Sequence, residues 1–88
     1  MKNVRAVIID DNVNLVEMIK EYFSSHEIIS IVDWAYDGVE GIKLIDEKRD
    51  NYDIIILDLI MPNKDGMYVL EEMRKRGIDK KVIVATSY

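Results

Sequence analysis

The sequence contains no cysteine and only one proline and one histidine. The lack of cysteine excludes disulfides, thiol nucleophiles and zinc–thiolate sites, so any chemistry must come from carboxylates, hydroxyl groups or the backbone. The sequence also lacks any apolar run near the ~20 residues that cross a bilayer, and its N-terminus has no signal-peptide core. These absences predict a soluble cytoplasmic domain that does not associate with a membrane.

Positive charge is also in short supply. The chain has 17 acidic and 12 basic residues, a formal net charge of -5, and its lysines and arginines are scattered along the sequence. A nucleic-acid-binding surface needs clustered positive charge, so we predict that this segment binds no nucleic acid. With 88 residues, the chain has room for a single hydrophobic core.

The pattern of apolar residues predicts strands that alternate with helices. Short, nearly continuous apolar segments predict four buried parallel strands, at residues 4–9, 28–34, 52–57 and 81–85. Apolar residues at helical spacing predict helices at 13–23, through Val39, Ile42 and Ile45, and at 67–76, with Asn12 and Gly77 as caps of the first and third. Such alternation is typical of an α/β fold with a doubly wound parallel sheet.

Some side chains carry no functional signal. Met18, Met67 and Met73 fall at helical spacing and are predicted to fill the core. His26 lies in a polar stretch and is interpreted as a surface residue. Trp34 and Tyr36 could line a partner surface near the rim of the sheet, but they are interpreted as packing residues, in the core or partly exposed.

The predicted strands end in polar residues. Asp10 and Asp11 follow the first strand, Asp58 follows the third, and the fourth ends at 86–87 with Thr-Ser. Ligands of parallel sheets collect outside the carboxyl ends of the strands. The sequence therefore predicts an acidic, hydroxyl-bearing cluster on one rim of the sheet.

Carboxylates brought together without a basic partner repel one another, and a cation relieves that repulsion. Hard oxygen ligands without sulfur or histidine select magnesium, manganese or calcium. A metal-bound Asp58 could attack a phosphorus atom as a covalent nucleophile. Taken singly, each aspartate is equally compatible with a helix-capping or turn residue.

Three segments resemble the signatures of one family. The stretches 8–12 (IIDDN), 37–40 (DGVE) and 55–66 (IILDLIMPNKDG) are similar to those of response-regulator receiver domains, which are CheY-like. The resemblance covers nearly the whole chain and implies a flavodoxin-like order of strands. Within the family, the sequence looks most like receivers of the sporulation-controlling transcription factors of endospore-forming bacteria.

The resemblance implies a role for each residue of the cluster. Asp58 would be the phosphoacceptor, and Mg²⁺ would be bound by Asp58 and Asp11 directly and by Asp10 through water. Ile60 would supply its backbone carbonyl to the metal. Thr86 would be the switch hydroxyl that reports phosphorylation.

Receivers normally continue through a fourth helix, a fifth strand and a fifth helix. The resemblance therefore implies that residues 1–88 form a receiver domain that is incomplete at its C-terminus, with the effector domain outside this chain. The outer edge of the fourth strand would then be exposed, which favours a homodimer or a domain-swapped oligomer.

The leading functional hypothesis is a phosphoacceptor of a two-component system or phosphorelay. A histidine kinase or histidine phosphotransfer protein would donate the phosphoryl group, and a transcription-factor effector would respond. Such a receiver catalyses only its own phosphorylation and dephosphorylation and is not otherwise an enzyme. One alternative is an interaction or oligomerisation module without phosphotransfer. Another is a Mg²⁺-dependent phosphohydrolase of the haloacid dehalogenase type, which would need an acid where Ile60 stands.

Overall fold

The structure, a computed structural model, describes residues 3–61 and 65–85, which form a four-stranded parallel sheet and three α-helices. The strands are β1 (Val4–Ile9), β2 (Ile29–Ala35), β3 (Ile54–Leu57) and β4 (Lys81–Val84). The helices are α1 (Val13–Phe23), α2 (Gly38–Glu47) and α3 (Asp65–Lys75), and a 3-10 turn, Arg49–Asn51, precedes β3. The strand order is β2-β1-β3-β4 with every pairing parallel, which confirms the predicted doubly wound α/β fold.

Alternation along β1 divides the core between the two faces of the sheet. Val7 and Ile9 belong to a buried cluster that includes residues of α2 and α3. Ala6 and Ile8 are equally buried, and because successive strand side chains point to opposite faces, they lie towards α1. Val16 is the fully buried residue of that helix. The helices therefore cover both faces, as a continuous apolar strand requires.

Two predicted boundaries differ from the structure by two residues, and those of β2, the end of β4 and the end of α3 differ by one. β3 begins at Ile54 rather than at Tyr52, which is buried but lies outside the strand. The helix predicted to begin at Met67 begins instead at Asp65. The pair Asp65-Gly66 is typical of turns, but an acidic residue is also favourable in the first turn of a helix, beside the positive end of the helix dipole. In the structure this pair forms the first two residues of α3.

Both predicted helix caps are confirmed. The side-chain oxygen of Asn12 accepts a hydrogen bond from the backbone N–H of Leu15 at 3.1 Å. Gly77 adopts a φ of +65°, and the N–H of Ile78 donates to the carbonyl of Met73 at 2.9 Å. These are features of a Schellman motif, in which glycine adopts the left-handed conformation without strain.

The core prediction for the methionines is wrong in two of three cases. Met73 is 5% exposed, but Met18 and Met67 are 66% and 47% exposed. Helical spacing identifies apolar stripes but does not decide which stripe meets the sheet. In α1 that stripe contains Val16, and Met18 lies outside it.

β2 and β4 are the two edge strands of the sheet, and among the described residues β4 pairs only with β3. Its Ile83 and Val84 are 45% and 47% exposed. Within the same residues no helix combines the length and apolar character needed to span a membrane.

The Arg5–Asp53 pair makes stability depend on pH in acid. The Asp53 carboxylate accepts hydrogen bonds from the Arg5 backbone N–H and guanidinium, at 2.8 and 3.1 Å. These bonds lower the pKa of Asp53 from 3.8 to about 2. A lowered folded-state pKa contributes stability above the unfolded value that is lost as pH falls through the folded value.

We therefore expect the urea midpoint of the wild-type protein to fall between pH ~4 and ~2 by more than that of Asp53→Asn. Asp79→Asn is the control, because Asp79 is exposed and its carboxylate makes no hydrogen bond within the described ranges. An equal fall in all three proteins would contradict the assignment.

Candidate metal centre

Three aspartates meet at the carboxyl ends of β1 and β3. Ile9 is paired with Leu57 in the register of these adjacent strands, so Asp10 and Asp58 leave the sheet side by side. Together with Asp11, they offer carboxylate oxygens that all lie within 4.8 Å of one another. The predicted convergence of the three carboxylates is confirmed.

Backbone N–H groups fix one oxygen of each buried carboxylate. Asp10 and Asp58 are each 4% exposed. Oδ1 of Asp10 accepts a hydrogen bond from the N–H of Asn12, and Oδ1 of Asp58 accepts one from the N–H of Ile60, both at 2.9 Å. Each buried carboxylate therefore has one oxygen whose position the backbone fixes.

The cluster is electrostatically unfavourable without a cation. Burial raises the pKa of Asp10, and the charges of Asp58 and Asp11 raise it further, against the N–H of Asn12, which lowers it. In residues 3–61 and 65–85, no lysine or arginine forms a salt bridge with any of these aspartates. A bound cation would supply the missing positive charge.

The donor set fits a hard divalent cation. It contains only oxygen, and exposed Asp11 leaves one side open to water. Mg²⁺ keeps several waters and takes one or two carboxylates, which matches this arrangement. The backbone N–H of Ile60 donates a hydrogen bond to Asp58. Binding of the metal by the Ile60 carbonyl stays a prediction. Thr86, the predicted switch hydroxyl, lies outside the described residues.

A close backbone contact behind the site was missed from sequence. A Cβ added to Gly66 would lie 2.6 Å from the carbonyl oxygen of Asp58 and 2.6 Å from Cα of Leu59. The adjacent Asp65 accepts a hydrogen bond from the N–H of Gly38 at 3.4 Å. Through these contacts the first turn of α3 packs against the loop that carries Asp58, and the first turn of α2 packs against α3.

The repulsion within the cluster leads to a stability prediction. We expect Asp10→Asn to raise the free energy of unfolding by about 1 kcal/mol without metal, because an uncompensated buried charge is removed while the N–H of Asn12 keeps an acceptor. Urea unfolding at neutral pH measures this. Added Mg²⁺ should stabilise the wild type more than the variant.

Asp11→Asn is the matched control, since its exposed carboxylate should change the metal-free stability little while still reducing the effect of Mg²⁺. A destabilised Asp10→Asn protein would contradict the account.

The chain was compared with protein families, curated proteins and solved structures. The model of the response regulator receiver domain family matches residues 6–88. Over 82 residues the chain is 35% identical to protein-glutamate methylesterase/protein-glutamine glutaminase 2 of Koribacter versatilis, covering 93% of this chain and 22% of that protein. Over 86 residues it is 34% identical to the probable C4-dicarboxylate response regulator DctR of Bacillus subtilis, covering 98% of this chain and 37% of that protein.

A similar fold is seen in the solved CheX–CheY–BeF3–Mg complex from Borrelia burgdorferi. The TM-score is 0.82 at 29% identity, and the match covers 97% of this chain and 63% of the other. The 88-residue chain thus spans about a fifth to two fifths of the length of the two curated relatives.

Proposed function

Since the chain belongs to the response regulator receiver family, we propose that it is the phosphoacceptor of a two-component system, with Asp58 as the residue phosphorylated. The observation that carries this proposal is the meeting of Asp10, Asp11 and Asp58 within 4.8 Å. A lone buried carboxylate after a strand would not suffice.

Four residues of the site would bind Mg²⁺. Asp11 and Asp58 would hold Mg²⁺ directly, Asp10 through a water, and Ile60 through its backbone carbonyl. The bound ion supplies positive charge that offsets the negative charge of the phosphoryl group. The support is the all-oxygen donor set and, by analogy, the Mg²⁺ present with a related CheY.

The Asp58 carboxylate would be the nucleophile. The N–H of Ile60 holds Oδ1, which orients Oδ2 for attack. An O–P bond forms at Oδ2 as the P–N bond to a histidine of the donor breaks, and the histidine nitrogen keeps that electron pair. The product is an aspartyl phosphate, and the protein acts only on its own phosphorylation state.

A histidine kinase or a histidine phosphotransfer protein is the donor that fits this chemistry. α1 begins two residues after Asp11, so its outer face lies beside the nucleophile. Met18 and Tyr22, one turn apart on the same side of this helix, are 66% and 73% exposed. We propose that the donor docks against this face.

The responding domain is a further part of the proposal. A DNA-binding transcription-factor effector outside these 88 residues would read the phosphorylation state. One curated relative is a probable C4-dicarboxylate response regulator and the other a methylesterase/glutaminase. Neither supports the narrower resemblance to sporulation regulators, which stays a prediction.

Oligomerisation is a second candidate function, because within residues 3–61 and 65–85 β4 pairs with a strand on one side only. A homodimer or domain-swapped oligomer could form there with or without phosphotransfer. The phosphohydrolase alternative gains no support, because position 60 carries an exposed apolar side chain and no acid.

Incubation with acetyl phosphate and Mg²⁺, followed by intact-mass measurement, tests the phosphoacceptor proposal. We expect one added phosphoryl group on the wild type, none on Asp58→Asn, and none with a chelator present. Asp79→Asn, an exposed acidic position far along the chain, should still be modified. Wild-type protein that binds Mg²⁺ but never gains a phosphoryl group would contradict the proposal.

A further inference from the structure

The first turns of α2 and α3 are in direct backbone contact. Gly38, the first residue of α2, is buried. A Cβ added to it would lie 2.8 Å from the carbonyl oxygen of Asp65 and 3.2 Å from the ring of Tyr68, and both of these residues belong to α3. Because glycine carries no Cβ, the two helix ends approach each other more closely than another residue would allow.

The carboxylate of Asp65 links these two helix ends. Its Oδ2 accepts a long hydrogen bond of 3.4 Å from the N–H of Gly38, and Asp65 also lies in the first turn of its own helix. The neighbouring acid, Asp37, accepts a different N–H, that of Glu40, at 2.7 Å. The first N–H groups of a helix have no partner within the helix and give that end a partial positive charge. The single carboxylate of Asp65 therefore lies at the positive ends of both α2 and α3.

α3 carries this contact to the segment that follows the candidate phosphoacceptor. Gly66 comes directly after Asp65, and a Cβ at Gly66 would lie 2.6 Å from the carbonyl oxygen of Asp58 and 2.6 Å from Cα of Leu59. The N–H of Ile60 then holds Oδ1 of Asp58 at 2.9 Å. A displacement of the first turn of α3 would therefore move the backbone that orients the Asp58 carboxylate.

Strand pairing anchors only the start of this segment. The N–H of Asp58 donates to the carbonyl of Ile9 at 3.0 Å, which ties it to β1. β3 ends at Leu57, so the chain leaves the sheet at Asp58. Beyond that point, the first turn of α3 packs against the backbone at Leu59. The position of the segment after Asp58 thus depends on where α3 begins.

We propose that Asp65 is a positioning residue for the phosphorylation of Asp58. Its carboxylate holds the first turn of α3 against α2, and that turn holds the backbone from Asp58 to Ile60 in place. The inference rests on the proposed function of Asp58 as the phosphoacceptor. Asp65 lies outside the group of described carboxylates that are close enough to share a metal ion, so it acts through the backbone and not as a ligand.

Two substitutions at Asp65 test the role of its carboxylate. Asp65→Ala removes the acceptor, whereas Asp65→Asn keeps a side-chain oxygen for the N–H of Gly38. With acetyl phosphate and saturating Mg²⁺, intact-mass measurements should show phosphorylation of the alanine variant slowed about tenfold and that of the asparagine variant slowed less than about threefold. The amide proton resonance of Ile60, measured by NMR, should move in the alanine variant and stay near its wild-type position in the asparagine variant.

A further variant disturbs the same contact from the α2 side. Gly38→Ala places a Cβ 2.8 Å from the carbonyl oxygen of Asp65, so it should also slow phosphorylation although Asp65 is unchanged. Asp37→Ala is the matched control, because it removes the cap of the same helix, the bond to the N–H of Glu40, and keeps the Asp65 carboxylate. It should lower the urea midpoint but leave the phosphorylation rate within about twofold of wild type.

The outcomes separate the positioning role from the proposed function. A wild-type rate in either Asp65→Ala or Gly38→Ala, equal slowing by Asp37→Ala, or an asparagine variant as slow as the alanine variant would overturn the positioning role and leave Asp58 as the phosphoacceptor. Wild-type protein that never gains a phosphoryl group would contradict the proposed function itself, and this inference with it.

Discussion

Replacing Tyr52 with alanine is expected to lower the free energy of unfolding by about 3–5 kcal/mol. The ring is 1% exposed and lies in the buried cluster between the sheet and α2 and α3. Its hydroxyl donates to the carbonyl of Ile45 at 2.7 Å, one of the last carbonyls of α2, which lack partners within the helix. For a chain of this size the loss is a large part of total stability, and urea unfolding measures it.

Tyr52→Phe separates the hydroxyl from the ring. Because it removes only the hydrogen bond to Ile45, we expect a smaller loss of about 1–2 kcal/mol. An alanine variant that unfolds within about 1 kcal/mol of wild type would contradict the burial of this side chain.

Tyr52 also predicts a loss of stability in alkali. Burial raises its pKa from 10.0 to about 12. A raised folded-state pKa contributes stability that is fully present below the unfolded value and is lost as pH rises through the folded value. The wild-type urea midpoint should therefore fall between pH ~10 and ~12, and that of Tyr52→Phe should fall less.

Replacing Gly66 with alanine should disturb both the fold and the metal centre. The added Cβ would lie 2.6 Å from backbone atoms of Asp58 and Leu59, and backbone cannot rotate away as a side-chain end can. Overpacking of this kind costs about 1–3 kcal/mol or more. Because the displaced backbone carries Asp58, we also expect weaker Mg²⁺ binding and slower phosphorylation, measured by titration and by intact mass.

Two other glycines serve as controls for Gly66→Ala. The three heavy atoms nearest to a Cβ added at Gly41 belong to the side chain of Ile9, whereas a Cβ added at Gly77 meets no atom within 4 Å but requires alanine at a φ of +65°. The Gly77 change should cost about 1 kcal/mol and leave Mg²⁺ affinity intact. A Gly66→Ala protein with wild-type Mg²⁺ affinity would show that the contact does not position Asp58.

The fold followed from sequence where a local pattern was sufficient. Continuous apolar segments identified the strands, and Asn12 and Gly77 marked helix ends through their own hydrogen bonds and dihedral angle. Ligand sites lie at the carboxyl ends of parallel strands, and this rule was sufficient to predict from sequence that Asp10 and Asp58 lie close together. These inferences need only neighbours in sequence and one topological rule.

The remainder depended on contacts between distant residues. The burial of Met73 but not of Met18 depends on which helical stripe meets the sheet. The close approach of Gly66 to Asp58 depends on how α3 packs against the loop after β3.

Locating the phosphoryl group is the most direct test of the central claim. After incubation with acetyl phosphate and Mg²⁺, borohydride reduction converts an aspartyl phosphate to homoserine, and peptide mass spectrometry then identifies the position. We expect homoserine at position 58 alone, and none when Mg²⁺ is chelated. Modification at Asp10 or Asp11 instead, or no modification of folded, Mg²⁺-bound protein, would contradict it.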